Sequence, residues 1–162
     1  MKKIVMSFLG LAMAALMTVS CGGNAGTTTY TNERYGFTVE VPGDLRQIVG
    51  LLPEEGTVFS ADPDGGMQLN RIDITGSEEL FGEEYSQEKI KSDLEFWGEN
   101  ASETELFADG FTFTRPGEIT EITKHVYKGT KKVMVTIYYD ADHADQLGGD
   151  VAQKVFDSIK FL

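Results

Sequence analysis

Apolar and polar residues alternate along much of this chain of 162 residues, and the period of the alternation assigns its elements. Phe37, Val39 and Val41 alternate with Thr38 and Glu40, which predicts a half-buried strand ended by Pro42-Gly43-Asp44. Thr57 to Ala61 and Met67 to Thr75 flank the turn sequence Asp62-Pro63-Asp64-Gly65-Gly66 and predict a hairpin. In its second strand Met67 and Leu69 keep one phase, Ile72 and Ile74 the other, so a bulge or burial on both faces is expected. Ser86 is placed to cap a helix in which Ile90, Leu94 and Trp97 form one apolar stripe, with Glu88, Lys91, Glu95 and Glu99 largely outside it. Phe111 and Phe113 alternate with Thr112 and Thr114, and Ile119 to Tyr127 and Val133 to Tyr139 form a second hairpin through Lys128-Gly129-Thr130-Lys131-Lys132. Val133, Val135, Ile137 and Tyr139 share one face of its last strand. Leu147, Val151, Val155 and Ile159 recur every fourth residue and predict a C-terminal helix across the sheet, with Asp150 as the N-cap of its continuous part. Strands paired as hairpins with helices inserted late specify an α+β domain: a central antiparallel β-sheet flanked by helices, one domain over residues 30–162.

The N-terminal pattern is of another kind. Lys2 and Lys3 precede a run from Ile4 to Val19 broken only by Ser7, Gly10 and Thr18, the arrangement of a signal peptide over residues 1–20. At about 1.5 Å per helical residue the run reaches roughly 24 Å, short of the ~30 Å hydrocarbon core of a bilayer. Thr18-Val19-Ser20-Cys21-Gly22 resembles a bacterial lipobox, in which the cysteine sulfur carries diacylglycerol and becomes the new N-terminus; Thr18 stands where that motif usually has an aliphatic residue. Cys21 is the sole cysteine, so an oxidising compartment offers it no disulfide partner, and acylation accounts for it. A plain secretory signal with an incidental cysteine is the alternative. Residues 21–29, small and polar after the lipid site, read as a flexible tether. Neither an Asp nor an acidic patch follows Cys21 directly, which by resemblance to lipoprotein sorting favours the outer membrane facing the periplasm, with the cell surface as the alternative.

The order of landmarks resembles the PsbP-like fold family. Tyr30-Thr31-Asn32 leads to Tyr35-Gly36-Phe37-Thr38-Val39 and closes at Val41-Pro42; a strand pair, a helix, a strand-rich half and a last helix ending Asp157-Ser158-Ile159-Lys160-Phe161 follow. The resemblance covers residues 30–162 and implies an α/β/α sandwich around an antiparallel sheet. That fold serves an extrinsic photosystem II subunit, a Ran-binding import factor and many bacterial lipoproteins, so it implies no single activity.

Charge narrows the partners. The formal net charge is -12, and loss of residues 1–20 with Lys2 and Lys3 takes it to -14, which argues against nucleic acid. Between Glu78 and Asp109 eleven acids face only Lys89 and Lys91, whereas seven acids balance seven basic residues from Gly110 to Leu162. The helix region is therefore an acidic pole, and an envelope protein is the expected partner. Catalytic motifs are absent: no Gly-x-Ser-x-Gly elbow, phosphate-binding loop or His-Glu-x-x-His occurs, and no enzyme activity or cofactor is expected. Asp140, Asp142, His143 and Asp145 gather three carboxylates and an imidazole within six residues, candidate ligands for a divalent cation, although a solvated strand-to-helix connection is the favoured explanation and no metal is expected. His125 shares the strand phase of Thr123 and Tyr127 and reads as a half-exposed strand residue. Asp157-Ser158-Ile159 resembles a short O-glycosylation acceptor but falls where the final helix should pack. The reading is a lipid-anchored, non-enzymatic binding or accessory domain; a binder of a small ligand or divalent cation in the periplasm is the alternative.

Overall fold

The computed structural model describes residues 18–19, 26–48, 53–62 and 69–162. The proposed lipid site Cys21, most of the leader and tether, and the turn Pro63 to Gly66 lie outside the described residues. In chain order the strands are β1 (Thr18–Val19), β2 (Thr27–Asn32), β3 (Phe37–Pro42), β4 (Arg46–Ile48), β5 (Gly56–Ser60) and β6 (Arg71–Glu78). Helix α1 (Gln87–Trp97) precedes β7 (Glu103–Phe107), β8 (Gly110–Arg115), β9 (Thr120–Lys128) and β10 (Lys131–Tyr139). A 3₁₀ turn at Ala141–His143, α2 (Ala144–Leu147), α3 (Gly149–Asp157) and β11 (Lys160–Phe161) complete the chain.

Two antiparallel sheets result: a small one ordered β1-β2-β3-β11 and a large one ordered β4-β5-β6-β10-β9-β8-β7. After β6 the chain crosses one face of the large sheet as α1, starts again at the far edge as β7, and meanders back until β10 pairs with β6. Tyr85 N–H donates to Gly129 O at 2.9 Å and Glu79 N–H to Thr130 O at 2.8 Å, so the approach to α1 is sewn to the β9-β10 turn.

The strand period decides the two faces. Ile72, Ile74, Val133, Val135 and Ile137 are fully buried on one face, against Phe37, Val39 and Val41 of the small sheet and Leu147, Val155 and Phe156 of the C-terminal helices. Each such side chain contributes about 1.5–3 kcal/mol by leaving water. Phe111, Phe113, His125 and Tyr127 occupy the other face under α1, so the first and last helices lie on opposite sides of the sheet. Gly76 of β6 permits the two sheets to close: a Cβ there would lie 2.5 Å from the Tyr35 ring and 2.6 Å from the Phe37 ring.

Several expectations are corrected. No bulge is needed in the strand at Ile72 and Ile74, because β6 begins at Arg71 and Leu69 precedes it, half exposed. The tether expected to run to Thr29 gives way to β2 at Thr27. The last helix is broken at Gly148-Gly149, where Gly149 adopts φ 50°. Gly148 is the N-cap residue of α3, while Asp150 sits in the first turn, where its charge favours the helix N-terminus. Ile159 lies beyond the helix, and β11 pairs with β3 instead. Finally, the alternation does not predict β7: Glu103-Thr104-Glu105-Leu106-Phe107 carries too few buried positions to announce a strand.

Candidate docking surface

The acidic pole is built on α1, and the sequence sets that helix locally. The Ser86 side chain accepts from Lys89 N–H at 3.2 Å, satisfying one of the free N–H groups of the first turn. Ile90 is buried and Leu94 packs beside it, on Phe111, Phe113 and Tyr127. No basic residue occupies the last turn of α1; Arg115 of β8 supplies the cation from outside. Its guanidinium donates to Glu99 O at 3.3 Å and to Trp97 O, reaches both carboxylate oxygens of Glu121 from Nη1 at 2.9 and 3.0 Å, and covers the Phe113 ring at 4.5 Å. Lys89 pairs with Glu79 at 2.9 Å, and that hydrogen-bonded ion pair holds the Glu79 carboxyl below the usual carboxylate range.

Beneath the helix runs a buried polar chain. Tyr127 donates its hydroxyl hydrogen to Asp93 Oδ2 at 2.8 Å, so the 3.3 Å contact with His125 Nδ1 has the imidazole donating to the phenol oxygen. His125 is fully buried, contrary to the half-exposed position expected from strand phase, because Trp97 and Phe111 close over it with ring centroids 5.7 and 4.4 Å away. Burial, and secondarily the Lys132 charge, pull its pKa down to about 3, which keeps it neutral at physiological pH. Burial likewise raises Tyr127, reinforced by Asp93, and pushes Tyr85 up to about 12 with help from Glu79 and Asp93. These contacts fix α1 to the sheet, with His125 and Tyr127 buried and Asp93 and Tyr85 partly buried at the margin.

What α1 and its flanks present to solvent is mixed. Leu80 is 91% exposed, Phe81 87%, Phe96 71%, Leu106 45% and Trp97 38%. Of the large apolar side chains exposed among the described residues, only Leu69 and Leu162 lie outside the acidic segment 78–109. Exposed apolar groups rimmed by charge are the composition of an interaction surface. Trp97, the last residue of the predicted core stripe, is only partly core: it packs over His125 while its remainder reaches solvent beside Phe96, 5.4 Å away edge to face. The sequence carried a signal for this surface. Phe96 lies off the Ile90-Leu94-Trp97 stripe, on the acidic side of the helix, and Leu80-Phe81 interrupts an acidic run just before Gly82.

The four candidate cation ligands do not converge. Asp140 caps the 3₁₀ turn, its Oδ1 accepting from Asp142 N–H and His143 N–H and lying 2.8 Å from His143 Nδ1. Its Oδ2 accepts from Asn70 at 3.0 Å, and its own N–H donates to Asn70 Oδ1 at 3.0 Å. These bonds, led by those to His143 and Asn70, draw the Asp140 carboxyl down to about 2. Asp142 and Asp145 do not join it, and no group of three His, Cys, Asp or Glu side chains able to hold a metal occurs among the described residues. Asp145 instead lines a groove of about 620 Å³ between β3 and α3, with Val41, Pro42, Val151 and Val155 as its apolar wall and Lys154 and Lys160 beside it. Ser158 is committed to the fold: its hydroxyl lies 2.8 Å from the Glu40 N–H, which it accepts, and 2.6 Å from Val155 O.

No protein-family model matches the sequence, and no curated protein sequence matches it. Solved structures do match the fold. The chain is similar to the cyanobacterial PsbP protein CyanoP of Synechocystis sp. PCC 6803, with a TM-score of 0.55 and 15% identity over 88% of this chain and 98% of that one. A protein from Bacteroides thetaiotaomicron VPI-5482 matches with a TM-score of 0.54 and 15% identity over 86% of this chain; the match spans about half of that longer protein, 49%. The fold is PsbP-like, an α+β arrangement of two antiparallel sheets with helices, as the order of landmarks in the sequence implied.

Proposed function

We propose that this protein is a lipid-anchored, non-enzymatic accessory domain of the cell envelope that docks on another envelope protein through the acidic face carried by α1. The observation that carries the reading is the placement of Leu80, Phe81, Phe96, Trp97 and Leu106 in solvent within the acidic segment. Apolar groups supply affinity by burial, and the surrounding carboxylates steer a partner of opposite charge. The PsbP-like fold supports an accessory role. Acylation of Cys21 and outer-membrane location facing the periplasm belong to the same reading, and both rest on the leader sequence. Thr18–Val19 pairs with Thr28 and Thr29, so processing before Cys21 would uncover the edge of β2.

The test is crosslinking in solubilised envelopes, comparing wild type with the double variant Phe81→Ser and Phe96→Ser. Both side chains are exposed, so folding should be unchanged while the crosslinked species falls at least about tenfold, the effect of removing a central contact of roughly 1.4 kcal/mol or more. An unchanged crosslinking pattern would overturn the reading. Membrane fractionation with intact-mass measurement of wild type and Cys21→Ala tests the anchor: release of the variant into the soluble fraction is expected.

The groove between β3 and α3 favours a second reading, the binding of a small amphiphilic molecule against Val41, Pro42, Val151 and Val155. Calorimetry with calcium, manganese and zinc tests the divalent-cation form of that alternative at Asp140, Asp142, His143 and Asp145.

A further inference from the structure

We infer that β7 is an open strand edge that receives an extended basic segment of the partner, which would pair with it as an eighth strand of the large sheet. The inference rests on the docking reading above and specifies its chemistry. β7 ends the seven-strand order, and with five residues it is longer than β4, the strand at the other end of that sheet.

The register shows which of its peptide groups are free of the ladder. Gly110 pairs with Val126, and Tyr127 N–H donates to Asp109 O at 2.7 Å, which makes that pair the kind that exchanges no bonds directly. The Gly110 peptide groups therefore face β7, and by alternation so do those of Thr112 and Thr114. Their partners Phe107, Glu105 and Glu103 turn their own N–H and C=O groups toward β8. Ser102 N–H donating to Thr114 O at 2.9 Å agrees with this assignment. Thr104 and Leu106 are left directing N–H and C=O away from the sheet, a template for an added strand.

Side chains choose the occupant. Glu103 and Glu105 lie on one face, and Leu106 lies on the other, the face that α1 covers. Antiparallel self-pairing centred on Thr104 sets Glu103 opposite Glu105, and centred on Glu105 it sets that residue against its own copy, so like charges oppose a second copy of this chain. A segment in which Lys or Arg alternates with apolar residues satisfies both faces at once: cations opposite Glu103 and Glu105, apolar side chains beside Leu106. The acidic surroundings from Glu95 to Asp109 raise its local concentration.

The probe is a capped ten-residue peptide alternating Lys and Val, titrated into the full chain in detergent, with amide exchange followed by NMR. Slower exchange at Thr104 and Leu106, with Glu103 and Glu105 little changed, is expected, together with binding that weakens as salt rises. Thr104→Pro removes an outward N–H that the β7-β8 ladder does not use and should weaken binding about tenfold. Glu105→Gln should weaken it about threefold with the backbone intact, which guards against a Pro variant that folds poorly. Unaltered exchange at Thr104 and Leu106 under saturating peptide, or equal binding of a Glu-Val peptide, overturns the inference. Loss of envelope crosslinks in the Phe81→Ser and Phe96→Ser variant would still stand in that case, so failure of the edge is distinguishable from failure of the docking surface.

Discussion

His125 shows how far one residue departs from its strand phase. Alternation correctly groups it with Thr123 and Tyr127, but exposure on that face depends on what lies above, and α1 lies above it. A histidine whose folded pKa is about 3, against roughly 6.5 unfolded, binds fewer protons when folded. Its neutral burial therefore favours folding above pH 6.5, and that contribution is lost as pH falls from about 6.5 toward 3. Thermal unfolding across this window should show a steeper acid decline in wild type than in His125→Phe, which keeps the ring stack on Phe111 and removes the titration. The difference should amount to a few kcal/mol, since each tenfold change in proton affinity is worth about 1.4 kcal/mol. Parallel pH profiles for the two proteins would contradict it.

Among elements, the contact between the small sheet and β6 depends on a missing side chain. The rings of Tyr35 and Phe37 occupy the space over Gly76 that any Cβ would enter. Gly76→Ala should destabilise by about 1–3 kcal/mol through overpacking, read from denaturant unfolding, while its surface chemistry stays unchanged. The same scale explains why β7 escapes the sequence pattern and β10 does not. Val133, Val135 and Ile137 are buried because β10 is central, whereas β7 at the edge exposes four of its five residues and so has no apolar alternation to detect. Edge strands are specified by their neighbours' pairing more than by their own residues.

At the scale of the molecule the two cores are unequal. Among the described residues the cluster between the sheets joins 16 buried residues, whereas the cluster under α1 joins Ile90, Phe111, Phe113 and Tyr127. Stability is therefore not uniform, and the α1 layer should open by itself before the body of the sheet unfolds. Native-state hydrogen exchange should give α1 amides a lower opening free energy than those of β3, β6 and β10; equal values across these elements would count against it.

By itself, the sequence determined the periods and breaks: the strands at Phe37, Phe111 and Val133, the helix capped by Ser86, the hairpin turn at Gly129, and the separation of an acidic segment from a neutral one. These are local, because propensity, alternation and turn chemistry act over a few residues. Tertiary structure alone decided that the two main helices lie on opposite faces, that His125 is dry, that Asp140 bonds to Asn70 and His143, and that Phe96 and Leu106 remain in water. Each depends on which distant segment arrives to cover a face or to satisfy a polar group, and residues far apart along the chain carry that information jointly.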